Sequence, residues 1–176
     1  MKKIIGLGLL IVLCTNPITA MAAEHSEPAV ISVESENCYD FDDPDDYIEE
    51  TNELARGTKP PTSSWDLGSN DYSVQFVMNS AIFTNVLFKN HSGEIYLNIT
   101  NTSSEDTALI CELYAEGKDP KNDDMPATSA TIDTNGSWNV KFYNLNTETS
   151  YYVRFVKVHD EVDVTGKGIF SINEIK

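Results

Sequence analysis

The side chains of this chain that could do chemistry are three histidines, three cysteines, a run of aspartates and a scatter of aromatic rings. A hydrolase needs a nucleophile, a base and a group that orients the base. His25 stands in an acidic stretch, His91 in the polar turn Asn90-His-Ser-Gly93 and His159 at the end of a strand-like run, and none has such partners around it. The patterns His-Glu-x-x-His, Gly-x-Ser-x-Gly and Cys-x-x-Cys and a phosphate-cradling glycine loop are all missing. Metal, acyl-transfer and nucleotide chemistry therefore lack sequence support. Pairing His159 with Cys111 would need a thiolate, but Cys111 shares an apolar face with Leu109 and Leu113, where the charged form is disfavoured. A non-catalytic protein is expected.

Binding is the other chemistry open to these residues. Sugar rings stack on flat apolar faces, so aromatic side chains directed away from a core are the candidate contacts. Trp138 shares its face with Val140 and Phe142 and reads as core, while Trp65 lies near a proline linker. The outward set is Tyr96, Tyr114, Tyr143, Tyr152 and Arg154, and the ligand expected of it is an extracellular glycan or a cell-surface polymer. Asp40-Phe-Asp-Asp-Pro-Asp-Asp46 invites calcium, since hard cations want several carboxylates close together. The EF-hand pattern fails, because Pro44 takes the third position counted from Asp42 and no start puts a glycine at the sixth. No dedicated metal site or cofactor is expected, only weak calcium association with a solvated acidic run.

The elements that must position these residues start with a targeting segment. Lys2 and Lys3, the apolar run Ile4 to Leu13, and Ala20 and Ala22 form a signal peptide over 1–22, of a kind that resembles bacterial ones, with the mature chain beginning at Ala23. The apolar run is short for a membrane span and no later stretch is longer, so a secreted protein without membrane insertion is expected. The formal charge of −16 becomes about −18 once the signal is removed, which disfavours nucleic acid and anionic membranes as partners. Cys14 leaves with the signal. Cys38 and Cys111 remain; one disulfide is open to them, but Cys111 reads as a small buried hydrophobe and two unpaired thiols are expected.

Glu24 to Glu53 holds a dozen acidic residues and no Lys or Arg, the composition of a solvated arm. Asp43-Pro44-Asp-Asp46 supplies a cap, a first-turn proline and acids, and Arg56-Gly57 the opposite end, so one short helix is expected over 44–56. With the linker Lys59-Pro-Pro-Thr-Ser-Ser64 this makes a mostly disordered arm over 23–64, ahead of a single domain over 65–176. Within the domain, Tyr72 to Met78, Ile95 to Ile99, Ser137 to Phe142 and Tyr151 to Phe155 alternate apolar and polar. Turn formers separate these runs, with Asn135-Gly136 as a hairpin signal and Gly166 and Gly168 suiting a bulge or an edge. The expectation is an all-β, two-sheet antiparallel sandwich of about eight strands, without a convincing helix in the domain.

Two resemblances add to this. Leu145-x-x-x-Thr149-x-Tyr151-x-Val153 resembles the tyrosine corner of fibronectin type III and other immunoglobulin-like sandwiches. In those proteins the tyrosine hydroxyl bonds back to backbone a few residues upstream. Gly93-Glu-Ile-Tyr-Leu-Asn-Ile99, Leu113-Tyr114, Tyr151-Tyr-Val-Arg-Phe155 and Gly166-Lys-Gly-Ile-Phe-Ser-Ile172 resemble the strand order of the bacterial pre-peptidase C-terminal domain and of carbohydrate-binding jelly rolls. Both imply a sandwich. They leave two function classes: an extracellular binding or adhesion module, and a passive accessory protein whose acidic arm is a propeptide or spacer.

Overall fold

A computed structural model of the protein describes residues 27–35, 59–78, 80–103, 107–133, 135–158 and 163–174. The signal segment, His25, Cys38, the aspartate run, the expected helix over 44–56 and His159 lie outside the described residues. The chain is all-β, with strands β1 (Ala29–Ser35), β2 (Ser63–Asp66), β3 (Tyr72–Met78), β4 (Ile82–Phe83), β5 (Val86–Lys89), β6 (Ile95–Asn101), β7 (Leu109–Ala115), β8 (Thr128–Ile132), β9 (Gly136–Tyr143), β10 (Tyr151–Lys157) and β11 (Val164–Ser171). Among the described residues one 3₁₀ turn, Pro120–Asn122, sits in the long loop after β7.

The strands form two sheets. One has five strands in the order β1-β9-β6-β11-β3; the other has six, β2-β5-β10-β7-β8, with β4 also paired to β10. The two make a β-sandwich, compatible at a coarse level with an immunoglobulin-like fold. Alternation decides what lies between them. Val74, Phe76, Ile95, Leu97, Ile99, Val140 and Phe142 from the five-strand sheet meet Leu109, Cys111, Leu113, Val153 and Phe155 from the six-strand sheet in one buried cluster. Cys111 is a free thiol within it, and burial raises its pKa far above the ordinary thiol range. Trp138 packs against the same cluster.

Among the described residues eleven strands stand where about eight were expected, and each addition has a physical cause. The apolar run after Ala81 is broken at Thr84, whose hydroxyl receives the Val153 N–H (3.2 Å) and donates to the Val86 carbonyl (3.1 Å). That divides the run into β4 and β5. Ser63–Asp66, which straddles the expected boundary at 64 and 65, pairs with β5 in parallel, the one parallel ladder among the described strands. Ala29–Ser35 falls inside the stretch read as a disordered arm, yet it pairs antiparallel with β9 through seven residues. Its Val30, Ile31 and Val33 are strand formers. They were outvoted in the sequence by the acidic residues on either side.

Two turn readings are also corrected. Asn135-Gly136 joins β8 to β9, which lie in different sheets, so it carries the chain across the sandwich and closes no hairpin. Gly166 and Gly168 belong to β11, an inner strand between β6 and β3. A Cβ on Gly166 would sit 2.4 Å from the Phe76 ring and 2.9 Å from the Thr100 carbonyl oxygen. Phe76 crosses the space this glycine leaves open and stacks on Phe155 at 4.8 Å. The glycine serves close packing in the core, which the sequence alone does not distinguish from an edge.

Candidate functional site

Tyr151, the first residue of β10, is buried, and its hydroxyl accepts the Asn146 backbone N–H at 3.0 Å. Leu145 is buried beside it in the core cluster, and its N–H bonds to the Gly93 carbonyl at 3.0 Å. Thr149 closes the turn through its N–H to the Asn146 carbonyl, at 3.2 Å. These contacts bind the crossing between the sheets to the start of β10. They are scaffold, and they set which face of β10 carries Tyr152 and Arg154.

The five outward candidates divide between opposite faces of the sandwich. Tyr114, Tyr152 and Arg154 lie on the outer face of the six-strand sheet, where Tyr152 is paired with Tyr114 and Arg154 with Glu112. They were expected to be exposed, and two of them are not: Tyr114 is 2% and Tyr152 0% exposed, in a second apolar cluster with Phe83 and Leu87. The two tyrosine rings stack at 5.5 Å and the Tyr152 hydroxyl donates to the Lys118 carbonyl at 2.6 Å. Loss of hydration raises the pKa of both phenols. The Arg154 guanidinium lies over the Phe83 ring and donates to Glu112 at 3.0 Å, and the Tyr114 hydroxyl donates to the same carboxylate at 3.2 Å. Aromatic residues at outward positions have built a second core under the loop after β7. A ring held this way offers no open face to a sugar.

Beside this cluster is a cleft of about 530 Å³. Lys59, Pro60 and Pro61 line it on the linker side and Glu116, Lys118, Asp119 and Lys121 on the loop side, with Leu87 and Tyr152 between. Lys118 is paired with Asp124 at 3.3 Å, and the Asp119 carboxylate accepts the Lys121 backbone N–H. Trp65, near the linker, donates its indole N–H to the Asn70 carbonyl at 2.9 Å and packs edge-on to Tyr72. It is part of the wall of the core.

Tyr96 and Tyr143 lie on the outer face of the five-strand sheet, on β6 and β9, and both are half-buried. Tyr96 stands at the side of a trough of about 290 Å³ lined by Ile31, Tyr96, Leu97, Asn98, Asn139, Val140, Lys141 and Glu174. Tyr143 is outside this lining, next along its strand face from Lys141 and opposite Ala29. The Tyr96 hydroxyl donates to Glu94 (2.7 Å), Lys141 pairs with Glu94 (2.8 Å), and the Lys141 ammonium lies 5.1 Å from the centre of the Tyr96 ring. Hydrogen bonds from Lys141 and then Tyr96 lower the Glu94 pKa, and the Glu94 contact in turn raises that of Lys141.

The floor of the trough is polar and carries no aromatic ring. Asn98 and Asn139 face each other across β6 and β9, and the Asn98 amide donates to the Asn139 carbonyl oxygen at 2.8 Å. Asn98 is 4% exposed and its own Oδ1 has no hydrogen-bond partner. Thr100 and Ser137 continue the polar row at 2.9 Å from each other. Asparagine is depleted in strands, so two at outward positions of strong alternating runs were the available signal. Ile31, 52% exposed on β1, comes from the stretch read as arm. Among the described residues no three His, Cys, Asp or Glu side chains gather closely enough to hold a metal ion. The chain matches no protein family, no curated protein and no solved structure.

Proposed function

We propose that this protein is a secreted, non-catalytic binding module that holds an extracellular glycan or cell-surface polymer on the outer face of its five-strand sheet. The observation that carries the reading is the trough between β1, β9 and β6. It combines one aromatic wall, Tyr96, with an exposed apolar contact, Ile31, and a row of neutral polar groups. Small-ligand sites pair apolar surface with a few placed polar groups in about 300–1,000 Å³, and a trough of about 290 Å³ has room for a short stretch of sugar. The topology favours the same class. With β1, β2 and β4 set aside, the orders β9-β6-β11-β3 and β5-β10-β7-β8 support a jelly-roll reading, the architecture of the carbohydrate-binding sandwiches that the strand motifs resemble. The signal segment over 1–22 would deliver the module outside the cell.

The test is retention of the mature chain in native gels cast with soluble polysaccharides, and pull-down on insoluble ones and on cell walls. Wild type should be held by at least one polymer, and Tyr96→Ala should weaken that hold while leaving the fold intact. Wild type that migrates freely through every gel and stays in every supernatant would put the passive accessory reading ahead.

A further inference from the structure

Asn98 lies on the outer face of a sheet, yet it is 4% exposed and has one polar atom without a partner. An acceptor stripped of water and left unpaired costs about 1–3 kcal/mol, and native chains leave few such groups. The neighbours tell which partner is missing. Asn98 spends its N–H on Asn139, so what it lacks is a donor at Oδ1. Asn139 is exposed; its carbonyl oxygen is taken by Asn98, and its amide nitrogen remains to donate outward. Of the charged groups at the trough, Lys141 is engaged by Glu94, while Glu174 is exposed and negative.

We infer, resting on the binding function proposed above, that the trough reads an uncharged polyhydroxylated chain, a neutral polysaccharide: a small turn of the Asn98 amide opens Oδ1 to accept from one ligand hydroxyl, and Asn139 Nδ2 donates a second hydrogen bond to a ligand oxygen. An anionic polymer would meet Glu174, with Lys141, the ammonium in the trough's lining, already paired with Glu94, on a protein of formal charge −16. A neutral hydroxyl supplies the missing donor without that repulsion. Tyr96 and Ile31 then bracket the sugar ring, and the polar row of Thr100 and Ser137 continues the same face along the strands.

The arrangement predicts an uncommon pairing of effects. Asn98→Leu removes the unsatisfied acceptor and leaves the Asn139 oxygen to water, so its melting temperature should equal or exceed that of wild type. Its retention by the ligand should fall at least about tenfold, the equivalent of about 1.4 kcal/mol. Asn139→Asp keeps an oxygen for the Asn98 amide and replaces the outward donor by a charged acceptor, so it should melt close to wild type and bind several-fold more weakly. Wild type and both variants, as the mature chain, would be run in native gels containing neutral β-glucan or mannan, or anionic pectin or alginate, and on chitin beads. Retention of wild type on a neutral polymer, lost in Asn98→Leu at unchanged or higher stability, supports the inference. Retention on neutral polymers that both variants preserve, or retention on anionic polymers alone, overturns it while leaving the binding function standing. A lower melting temperature for Asn98→Leu overturns it too, because Asn98 would then be structural. No retention of wild type on any probe removes the binding function along with it.

Discussion

Each outer face of the sandwich carries two tyrosines at outward strand positions, and the two faces use them in opposite ways. On the six-strand sheet, Tyr114 and Tyr152 stand on adjacent strands, stack on each other and disappear under the loop that follows β7. On the five-strand sheet, Tyr96 has Asn98 beside it along the strand and Lys141 opposite, Tyr143 has Lys141 beside it and Ala29 opposite, and both stay half-buried at the side of a trough or beyond it. The difference lies in what each ring meets. Tyr152 meets Tyr114, Phe83 and Leu87 and bonds to the Lys118 carbonyl, so apolar area is removed from water on every side. Tyr96 meets Lys141 and Glu94, which keep their hydration and hold the ring upright at the surface. An outward position on a strand means facing away from one core, and a second core can still claim it.

Substitutions at matching positions would break or sharpen this contrast. Tyr152→Ala should have the largest effect, a loss of about 3–5 kcal/mol from emptying a fully packed site. Tyr96→Ala should cost no more than about 1 kcal/mol. Chemical denaturation of both variants reads the comparison directly, and equal losses would show the faces to be alike. Gly166→Ala comes next: the added methyl drives into Phe76 and the Thr100 carbonyl, with an expected loss of about 1–3 kcal/mol for overpacking. A wild-type melting curve for that variant would mean that Phe76 can swing aside.

Tyr151→Phe probes the scaffold rather than either face. It keeps the buried ring but takes the acceptor from the Asn146 N–H, and should cost about 1 kcal/mol or slightly more. No change in the melting midpoint would mean that water replaces the hydroxyl without loss. The smallest effect is expected at the edge of the trough. The Glu94 pKa is lowered in the fold by its hydrogen bonds to Lys141 and Tyr96, so its contribution is present above the unfolded carboxylate pKa and is lost as pH falls through the folded value. The pair is more than a third exposed, so solvent and salt screen it. Glu94→Gln should flatten the acid side of the melting-temperature profile slightly, and a profile unchanged below pH 5 would show that the contact adds nothing to the fold.

Much of the scaffold is legible in the sequence. Val74, Phe76, Leu97, Ile99, Val140 and Phe142 were assignable to an inner face because a strand alternates with period two whatever it pairs with. The corner spacing from Leu145 to Tyr151 was legible for a related reason: the hydroxyl reaches a backbone group only five residues away, within one continuous stretch. The candidate site was less legible. Tyr114, Tyr152 and Arg154 were grouped with Tyr96 and Tyr143 because all five fall outward on their own strands. Ile31 was lost because its strand is a short island in an acidic stretch, and composition averages over such islands.

What the chain determined by itself is what depends on near neighbours: most strands of the domain, their inner and outer faces and the turn at the tyrosine corner. Which strand lies beside which was decided only by the tertiary structure, since pairings such as β1 with β9 and β6 with β11 join residues far apart in sequence. That non-local choice put Asn98 opposite Asn139 to make the floor of a trough, brought Ile31 to its rim, and set Tyr114 against Tyr152 so that two outward rings became a second core. Alternation is a property of one strand, whereas a surface is shared among several. Only the pairing of strands could tell a buried tyrosine from one left standing at the edge of a site.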